Sequence, residues 1–409
     1  MKKKTTCISL FLAVVVIIGC SSCGAPRDAA AAAPEAVAIV IGNHACSREL
    51  NLNSPTIKET ITNVVDTGGF LSIISVDGSP DVVAAGSFAV EERFRNADPS
   101  LLAREAQAKA VNLLMELSEV RADTPEVDSF EGIRLARRTL SDAPEGANLT
   151  ILVIDTGLNT TGQLPFVNNL LSADPSVIAD MLEERKALPD LTGIHVLWQQ
   201  LGDVAAPQEE LTPKQFNRLK EIWSEILTRS GATYKFLDSV PNDGTLSAGL
   251  PEVSVVDLPD EIPIYYEETI ESGPAPFADP VILDESRVRF VPDSAEYLER
   301  AAAEAVIVPI AEYMLAHGDV TLLLAGTTAG DAQSDKTIGL SQSRANAVRA
   351  TMISHGVPEN RIIALGLGSE DPWHIYGLGT GGQAAPNRKV VILDADSDTA
   401  RDLLGRYYG

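Results

Sequence analysis

The chain has 409 residues, of which 45% are apolar and 22% are charged, and its formal net charge is −25. This length exceeds what one hydrophobic core usually organises, so we expect two folded domains. The acidic balance argues against nucleic acid as a partner, because phosphate binding requires clustered lysines and arginines.

The N-terminus has the pattern of an export signal. Three lysines at positions 2–4 precede an apolar run from Ile8 to Gly19, which is too short for an ordinary membrane-spanning helix. The run ends in "IIGC", which resembles a bacterial lipobox. The resemblance implies that residues 1–19 are a signal peptide and that Cys20 carries fatty acid, palmitate included, and anchors the chain to a membrane on the exported side. The alternative is an ordinary signal peptide that ends near a cysteine.

Residues 20–35 are small and polar, and we interpret them as a lipidated tether. Beyond Cys20, the remaining cysteines are Cys23 and Cys46, which could pair in an oxidising compartment, although nothing in the sequence fixes that pairing. No CxxC pair or Cys/His cluster indicates zinc.

From residue 36 to 240, continuous apolar runs alternate with helical patterns. Such runs are typical of parallel strands that are buried on both faces, so we predict a doubly wound, mostly parallel α/β domain. The predicted strands are 36–42, 70–78, 148–157 and 191–202, and the predicted helices are 54–68, 99–119, 127–141 and 212–231.

Residues 241–281 are rich in proline, glycine and acids and are interpreted as a linker between domains. Residues 282–395 then predict a β-α-β-α-β unit with a final strand, an α+β sandwich, followed by a tail at 396–409. Asp293 or Ser294 is expected to begin the first helix, and Pro309 to kink or split it. The predicted strands are 286–291, 319–326, 361–368 and 387–393, and the second helix is 340–356.

The last domain resembles the OmpA-like peptidoglycan-associating module. The motifs are "VRFVPDSA", a turn that begins at Gly326, "LSQSRANAV", "HGVPENRIIALGLGSEDP" and "APNRKVVI", in this order. The resemblance implies that Arg344, in the LSxxRA pattern, binds a carboxylate of diaminopimelate in the peptidoglycan stem peptide. A guanidinium suits that role because it can clamp a carboxylate through two charge-assisted bonds. The alternative is that Arg344 is an ordinary cation on a helix surface.

The turn departs from the family pattern, since Ala329 stands where the family has an aspartate that also contacts diaminopimelate. Losing one charge-assisted contact costs about 1.5–3 kcal/mol. Asp331 and Asp335 lie in the same loop and are candidates to replace it; the alternative is that both are solvated. Four more residues match polar positions of the family groove, and two of them, Asn387 and Arg388, could instead cap the last strand; the four are Thr328, Asp293, Asn387 and Arg388.

Residues 36–240 resemble the von Willebrand factor A-like fold, with a generic doubly wound sheet as the alternative. Such domains often bind a divalent metal through a DxSxS motif, but here Asn43 replaces the acid and Ala45 the first serine. Asp155 lies in the turn that ends the predicted strand 148–157, but it is out of step with the family turn by one residue. Too few hard oxygen ligands remain, so we predict no metal and a partner-binding surface at the strand ends, with an unknown protein as partner.

No pattern in the chain demands an enzyme. The histidines form no HExxH pair, and no GxSxG elbow or phosphate-binding loop follows a strand; the glycine-rich stretch 377–383 is interpreted as a loop. A Rossmann-type enzyme is the alternative for the first domain, but its fingerprint is missing. We therefore predict a lipid-anchored envelope protein, without cofactor, that binds peptidoglycan non-covalently. The alternative is an envelope assembly factor whose OmpA-like domain no longer binds peptidoglycan.

Overall fold

A computed structural model describes residues 33–48, 54–90, 97–238, 249–266 and 277–408. The predicted signal peptide and the cysteines at positions 20 and 23 lie outside these described residues. Residues 33–409 form one compact unit. In the described part of the chain, no helix is both long enough and apolar enough to cross a membrane.

The first half of this unit is built on a six-stranded sheet in the order β3-β2-β1-β4-β5-β6. All neighbours are parallel except the pair β2 and β3. The predicted strands are present, whereas β3 and β6 were not expected; β3 is an antiparallel edge strand whose residues are mostly exposed, so it carries no apolar run. The strands are β1 (Glu35–Ile41), β2 (Phe70–Ser75), β3 (Asp81–Ser87), β4 (Asn148–Ile154), β5 (Ile194–Gln199) and β6 (Thr233–Phe236).

Helices cover both faces of this sheet, as the apolar strands predicted. In β1, Val37, Ile39 and Ile41 pack with α1 and α2 on one face, and Ala36, Ala38 and Val40 pack with the other helices on the opposite face. After Glu35, the residues of β1 are all apolar because neither face of the sheet meets water there. The helices are α1 (Pro55–Asp66), α2 (Pro99–Glu119), α3 (Ser129–Thr139), α4 (Pro175–Glu184) and α5 (Pro213–Arg229).

The second half is a five-stranded sheet in the order β10-β9-β11-β8-β7. Strands β9 and β10 are parallel, and β11 runs antiparallel to β8 and β9. Helices α6 and α7 cover one face and α8 the other. The elements are β7 (Ile264–Tyr265), β8 (Val281–Leu283), α6 (Arg300–Ala316), β9 (Leu322–Thr327), α7 (Asp335–Ser354), β10 (Ile362–Gly368), β11 (Val390–Asp394) and α8 (Asp398–Tyr408).

The strand predicted at 286–291 is wrong: the first central strand is β8, which ends at Leu283. The chain turns directly after it because the Asp284 carboxylate accepts hydrogen bonds from the backbone N–H of Ser286 at 3.0 Å and from its hydroxyl at 2.6 Å. The predicted helix start at 293 or 294 is also wrong. Asp293 has a φ of 52°, which is the left-handed region, and the helix begins at Arg300.

The break expected at Pro309 does not occur, since α6 runs through it from Arg300 to Ala316. Burial of Ile310, Ala311 and Met314 holds the helix against the sheet and outweighs the one lost backbone bond. Helix α7 begins five residues before the predicted start, at Asp335, because Ser334 caps it by accepting from the N–H of Thr337.

The described part of the predicted linker is built into the structure. Val253, Val256 and Ile262 are buried in the core of the first domain. The side chain of Gln208 exchanges hydrogen bonds with the backbone of Val256, at 2.8 Å and 3.1 Å. The segment then supplies β7, the edge strand of the second sheet, so it connects the domains by packing on both. The predicted tail likewise contains α8.

Candidate functional site

Helix α7 presents Arg344 beside the turn that follows β9. Ser341 and Ala345, on the buried face of the helix, lie against Gly326 of β9. A Cβ atom at Gly326 would lie 2.2 Å from the backbone oxygen of Ser341, so only glycine allows this approach. The close packing therefore brings the glycine turn and the helical turn of Arg344 together.

Two contacts orient the Arg344 guanidinium. Its Nε donates to the backbone oxygen of Ser294 at 3.0 Å, and its central carbon lies 5.2 Å from the centre of the Phe290 ring. The residue is 6% exposed. Neither Nη atom has a hydrogen-bond partner among the described residues. The guanidinium is thus fixed through Nε, and its two terminal nitrogens are unpaired within the described part of the chain.

The loop at residues 289–298 supplies the two contact residues of Arg344. It is closed by backbone hydrogen bonds from Val291 to Glu296 and from Leu298 to Arg289, both 2.8 Å. Phe290 stacks on Tyr297 with a centroid separation of 5.2 Å. The Tyr297 hydroxyl lies 3.0 Å from the Thr351 hydroxyl of α7. These contacts fasten the loop to α7, the helix that carries Arg344.

No carboxylate forms an ion pair with Arg344 among the described residues. Burial lowers the pKa of Arg344 from its ordinary value; Glu285 opposes that shift, Arg388 adds to it and Asp293 opposes it. An arginine nevertheless stays charged near neutral pH. A largely buried cation without a direct counter-charge favours the binding of an anion.

Glu285 and Arg388 form a bidentate ion pair, and both charges act electrostatically on Arg344. Arg388 Nε donates to Oε1 at 2.6 Å and Nη2 donates to Oε2 at 2.9 Å, and Nη1 donates to the Gly381 oxygen at 3.0 Å. All three nitrogens of Arg388 are therefore engaged by the protein. Glu285 also lines an open cleft of about 280 Å³ between the two domains, whose opposite wall includes Met181 of α4. We call Glu285, Phe290, Asp293, Ser294, Arg344 and Arg388 the Arg344 site.

Asp331 and Asn387 contribute to a second cluster, centred on the buried His374. Asp331 lies 3.1 Å from His374 Nε2 and accepts from the N–H of Gly377 at 3.0 Å. The Asn387 amide exchanges hydrogen bonds with the backbone of Ile375, at 2.9 Å and 2.8 Å. Neither side chain contacts Arg344. Asp335, the other candidate acid, is the exposed first residue of α7.

Two more buried charges support the His374 cluster. Asp371 and Lys389 are almost closed to solvent, with Nζ 3.5 Å from Oδ1, and Lys389 also donates to the Trp373 oxygen at 2.6 Å. Burial raises the pKa of Asp371. Lys389 and His374 lower it by more than burial raises it, so the net pKa lies below the ordinary value. Through these contacts Lys389, on the segment before β11, is joined to Asp371 and Trp373 in the loop after β10.

Thr328 lies in the glycine turn with an unsatisfied hydroxyl. Its N–H donates to the Gly368 oxygen at 2.8 Å, but its Oγ1 is buried and has no partner. A buried polar atom left without a partner costs about 1–3 kcal/mol. A polar ligand that enters this turn would remove that cost.

Of the residues that the sequence singled out, the structure brings Arg344, Asp293 and Arg388 together. Asp331 and Asn387 instead contact His374 and belong to the His374 cluster. Sequence reasoning missed Glu285, Phe290 and Ser294, three members of the Arg344 site. The acidic pair directly after the apolar "VIL" run was the one available signal for Glu285, and the predicted strand at 286–291 obscured it.

In the first domain, the acid that the sequence analysis considered as a metal ligand, Asp155, is engaged by protein hydrogen bonds instead. Asp155 is fully buried after β4 and accepts from His44 Nε2 at 3.0 Å, from the Ser129 hydroxyl at 2.5 Å and from the Gly157 N–H at 2.8 Å. Burial raises the pKa of Asp155, but these bonds and the electrostatic effect of His44 outweigh it, and the net pKa lies below the ordinary value. Asn43 is directed elsewhere, to the Val120 oxygen.

Within the described ranges, no group of three or more His, Cys, Asp or Glu side chains is arranged to hold a metal. Cys46 is a buried free thiol. The prediction of a metal-free first domain still depends on the residue types alone, with Asn43 in place of the acid and Ala45 in place of the first serine.

Residues 289–385 match the model of the OmpA family. The C-terminal domain is therefore an OmpA domain, and the match includes Arg344, Thr328 and Ala329. The matched stretch does not extend to the first sheet. The chain matches none of the curated proteins.

Several solved structures are similar to the same part of the chain. The peptidoglycan-associated lipoprotein from Burkholderia pseudomallei is 29% identical over 26% of this chain and 86% of its own, with a TM-score of 0.23. The OmpA-like domain of FopA1 from Francisella tularensis is 20% identical over 34% and 93%, with a TM-score of 0.23. The cell wall anchor of the T6SS from Pseudomonas aeruginosa is 20% identical over 28% and 78%, with a TM-score of 0.23.

Proposed function

We propose that this protein is a lipid-anchored component of the bacterial cell envelope whose OmpA domain binds peptidoglycan non-covalently. The ligand group is the carboxylate of diaminopimelate in the stem peptide, and Arg344 binds it. The observation that carries the proposal is the free terminal fork of Arg344, held by Ser294 and Phe290 in a domain that matches the OmpA family.

The chemistry of the fork suits this ligand. A guanidinium that is fixed through Nε and the ring face can still offer two parallel N–H groups to one carboxylate. Because the side chain is already oriented, little rotational freedom is lost on binding. Such a charge-assisted contact contributes about 1.5–3 kcal/mol, which corresponds to roughly tenfold to a hundredfold in affinity.

The lipid anchor is proposed from the signal pattern and Cys20. The tether predicted at 20–35 is one residue shorter because Glu35 begins β1, and the stretch from 20 to 34 spans at most about 54 Å when extended. That length lets the folded unit stand off the membrane surface and reach the wall. We further propose that the first domain is von Willebrand factor A-like and binds a protein partner at the carboxyl ends of its strands.

The test is retention on purified sacculi. Full-length protein in detergent is compared with Arg344→Gln and with Arg287→Gln, which removes the same charge from an exposed arginine of the same domain. We expect Arg344→Gln to lose most of its retention and Arg287→Gln to behave as the parent, with equal thermal melting temperatures. Equal retention of all three proteins would refute the proposed site.

Ala329 favours a second candidate, an envelope assembly factor whose OmpA domain does not bind the wall. The turn that carries Ala329 offers no carboxylate to the ligand. Calorimetry of Ala329→Asp with a diaminopimelate stem peptide separates the two candidates. If the parent binds the peptide and the variant binds it more tightly, the first candidate holds. If only the variant binds, the assembly factor is the better description.

A further inference from the structure

Helix α2, from Pro99 to Glu119, carries apolar side chains on two opposite faces. Its inner face buries Leu113 and Leu117 against the first sheet. Because successive residues of a helix are turned by about 100°, Met115 lies about 200° around the helix from Leu113, on the side opposite the core. A helix on the surface of a monomeric protein normally presents polar residues on that side. The outer face of α2 therefore has the composition of a face that packs against something.

The side opposite the core is a stripe with the spacing of a helix pair. Met115 is 62% exposed, Leu101 56% and Val111 48%. Leu101, Ala108 and Met115 are seven residues apart, and Arg104 and Val111 each lie three residues after a member of that series. This seven-residue pattern lets two helices pack along their length. We call these five residues the outer stripe: Leu101, Arg104, Ala108, Val111 and Met115.

The outer stripe lies in the part of the described chain where exposed apolar side chains are concentrated. Six of the eleven large apolar side chains that are exposed there fall between residues 82 and 115. Two of them, Val82 and Val83, are on β3, which runs beside α2, since Lys109 donates to the Ser87 oxygen at 3.5 Å. Single exposed apolar residues need no explanation, whereas a group of them marks an interaction surface.

The exposed charges on α2 are of opposite sign at its two ends. Arg104 lies in the N-terminal half of the helix, and Glu116 and Glu119 lie at its C-terminal end. None of the three forms an ion pair within the described residues; the ion pair found on α2 there joins Lys109 to Glu105 at 3.5 Å. A second α2 that runs in the opposite direction would bring each of these unpaired charges opposite a charge of the other sign.

We propose that the outer stripe of α2 pairs with the outer stripe of a second copy of this chain, antiparallel and about a two-fold axis. In the register that the seven-residue pattern sets, Ala108 of one helix is level with Val111 of the other. Arg104 is then within reach of Glu116 and Glu119 of the second copy. The small side chain of Ala108 at the centre lets the two helices approach closely.

The same charges disfavour the other ways of covering this face. A parallel pair would place Arg104 against its own equivalent and align the two helix dipoles. A membrane surface of anionic lipids would be repelled by the exposed acids that flank the stripe, which are Glu105, Glu116 and Glu119. A stripe that is complementary to itself is what a two-fold interface requires. One pair of 21-residue helices, about 31 Å long, is smaller than a standard interface, so we expect the dimer to dissociate on dilution.

The test is disulfide cross-linking in intact cells that produce the full-length protein with Cys23→Ser, and that background without further change is the blank. We expect Val111→Cys to form a disulfide dimer, because its equivalents lie near the two-fold axis. Leu101→Cys alone should give at least about tenfold less dimer, since its equivalents are about 25 Å apart along the helices. Leu101→Cys produced together with Ser118→Cys should link, because those two positions are level.

Two further variants test the packing and the charges, each added to Val111→Cys. Ala108→Arg should reduce the dimer at least about tenfold, whereas Ala302→Arg, the same exchange at an exposed position of α6, should leave it unchanged. Arg104→Glu should reduce the dimer, and adding Glu119→Arg to it should restore the yield. Equal melting temperatures show that each variant is folded.

Every other result overturns the proposal. If Val111→Cys gives no dimer, or gives an adduct with a different protein, a second copy does not cover this face. If Leu101→Cys links to itself as well as Val111→Cys does, the helices are not antiparallel. If Ala302→Arg weakens the dimer as much as Ala108→Arg, or the charge exchange does not restore it, the contact is not made by the outer stripe.

Discussion

The side-chain amide of Asn169 donates hydrogen bonds to the backbone oxygen of His374 at 2.9 Å and to that of Pro372 at 3.0 Å. Asn169 belongs to the first domain and the two acceptors to the second. The neighbouring Tyr376 N–H donates to the Asn168 oxygen at 3.1 Å, and Ile375 is buried in the core of the first domain. The loop after β10, in the second domain, is thus held by hydrogen bonds to the first domain.

Asn169→Gly should loosen this junction. Asn169 has a φ of 64°, so glycine keeps the backbone conformation while removing the amide. We expect faster hydrogen exchange at residues 370–380, measured by mass spectrometry. The control is Lys186→Gly, at another exposed position with positive φ, 54°, which should leave that segment unchanged. Identical exchange in both variants would show that the amide does not hold the loop.

Arg344→Lys tests the geometry of the fork rather than its charge. Lysine keeps the charge but cannot donate to Ser294 and also present two parallel N–H groups. We expect at least about tenfold weaker binding of the diaminopimelate tripeptide by calorimetry. Arg287→Lys, an equal exchange at an exposed site, should bind as the parent does. Undiminished binding by Arg344→Lys would mean that the ligand senses only a point charge.

Asp155→Asn should destabilise the protein by about 3 kcal/mol at pH 7, because His44, Ser129 and Gly157 lose their ionised acceptor. The folded-state pKa of Asp155 is lowered, so its stabilisation is fully present above the unfolded carboxyl pKa of about 3.9 and is lost as the pH falls through the lower folded value. The gap between variant and parent in urea unfolding should therefore shrink in acid below that range.

The matched control for Asp155 is Asp81→Asn, on the exposed edge strand β3. It should change the free energy of unfolding by less than about 0.5 kcal/mol at either pH. A gap for Asp155→Asn that does not depend on pH would contradict an ionised, hydrogen-bonded carboxylate.

Cys20→Ser should abolish incorporation of labelled palmitate in growing cells and release the protein from the membrane fraction, because the thioether carrying the lipid cannot form. Cys23→Ser, three residues away, should incorporate label as the parent does. Label retained in Cys20→Ser would place the lipid elsewhere or refute the lipoprotein assignment.

The alternation of elements was readable from the sequence because buried parallel strands are apolar throughout. The strands β1, β2, β4 and β5 followed from that rule, as did β9, β10 and β11, whereas the first strand of the second domain was misplaced and α8 was not expected. Elements without an apolar run could not be predicted from this rule. β3 is an exposed edge, and β8 is only three residues long, so the prediction moved the strand to the longer run at 286–291.

The sequence predicted the position of Arg344 but not which residues surround it. The motif around Arg344 is local, since capping and helical spacing place the arginine on α7 whatever the rest of the chain does. Glu285 and Phe290 come from segments more than fifty residues earlier, and their contact with the site depends on how β8 and the 289–298 loop pack. Phe290 lies in the quoted motif "VRFVPDSA", but that motif does not say what its side chain contacts.

By itself, then, the sequence determined the alternation of apolar strands with helices and the arginine motif, because periodicity, capping and burial act over short stretches of chain. Only the tertiary structure decided that Asp331 bonds to His374, that Glu285 pairs with Arg388, and that the supposed linker packs on both sheets' cores. Those contacts join residues far apart in the chain, and side-chain pairing at that range depends on the packing of whole sheets and helices.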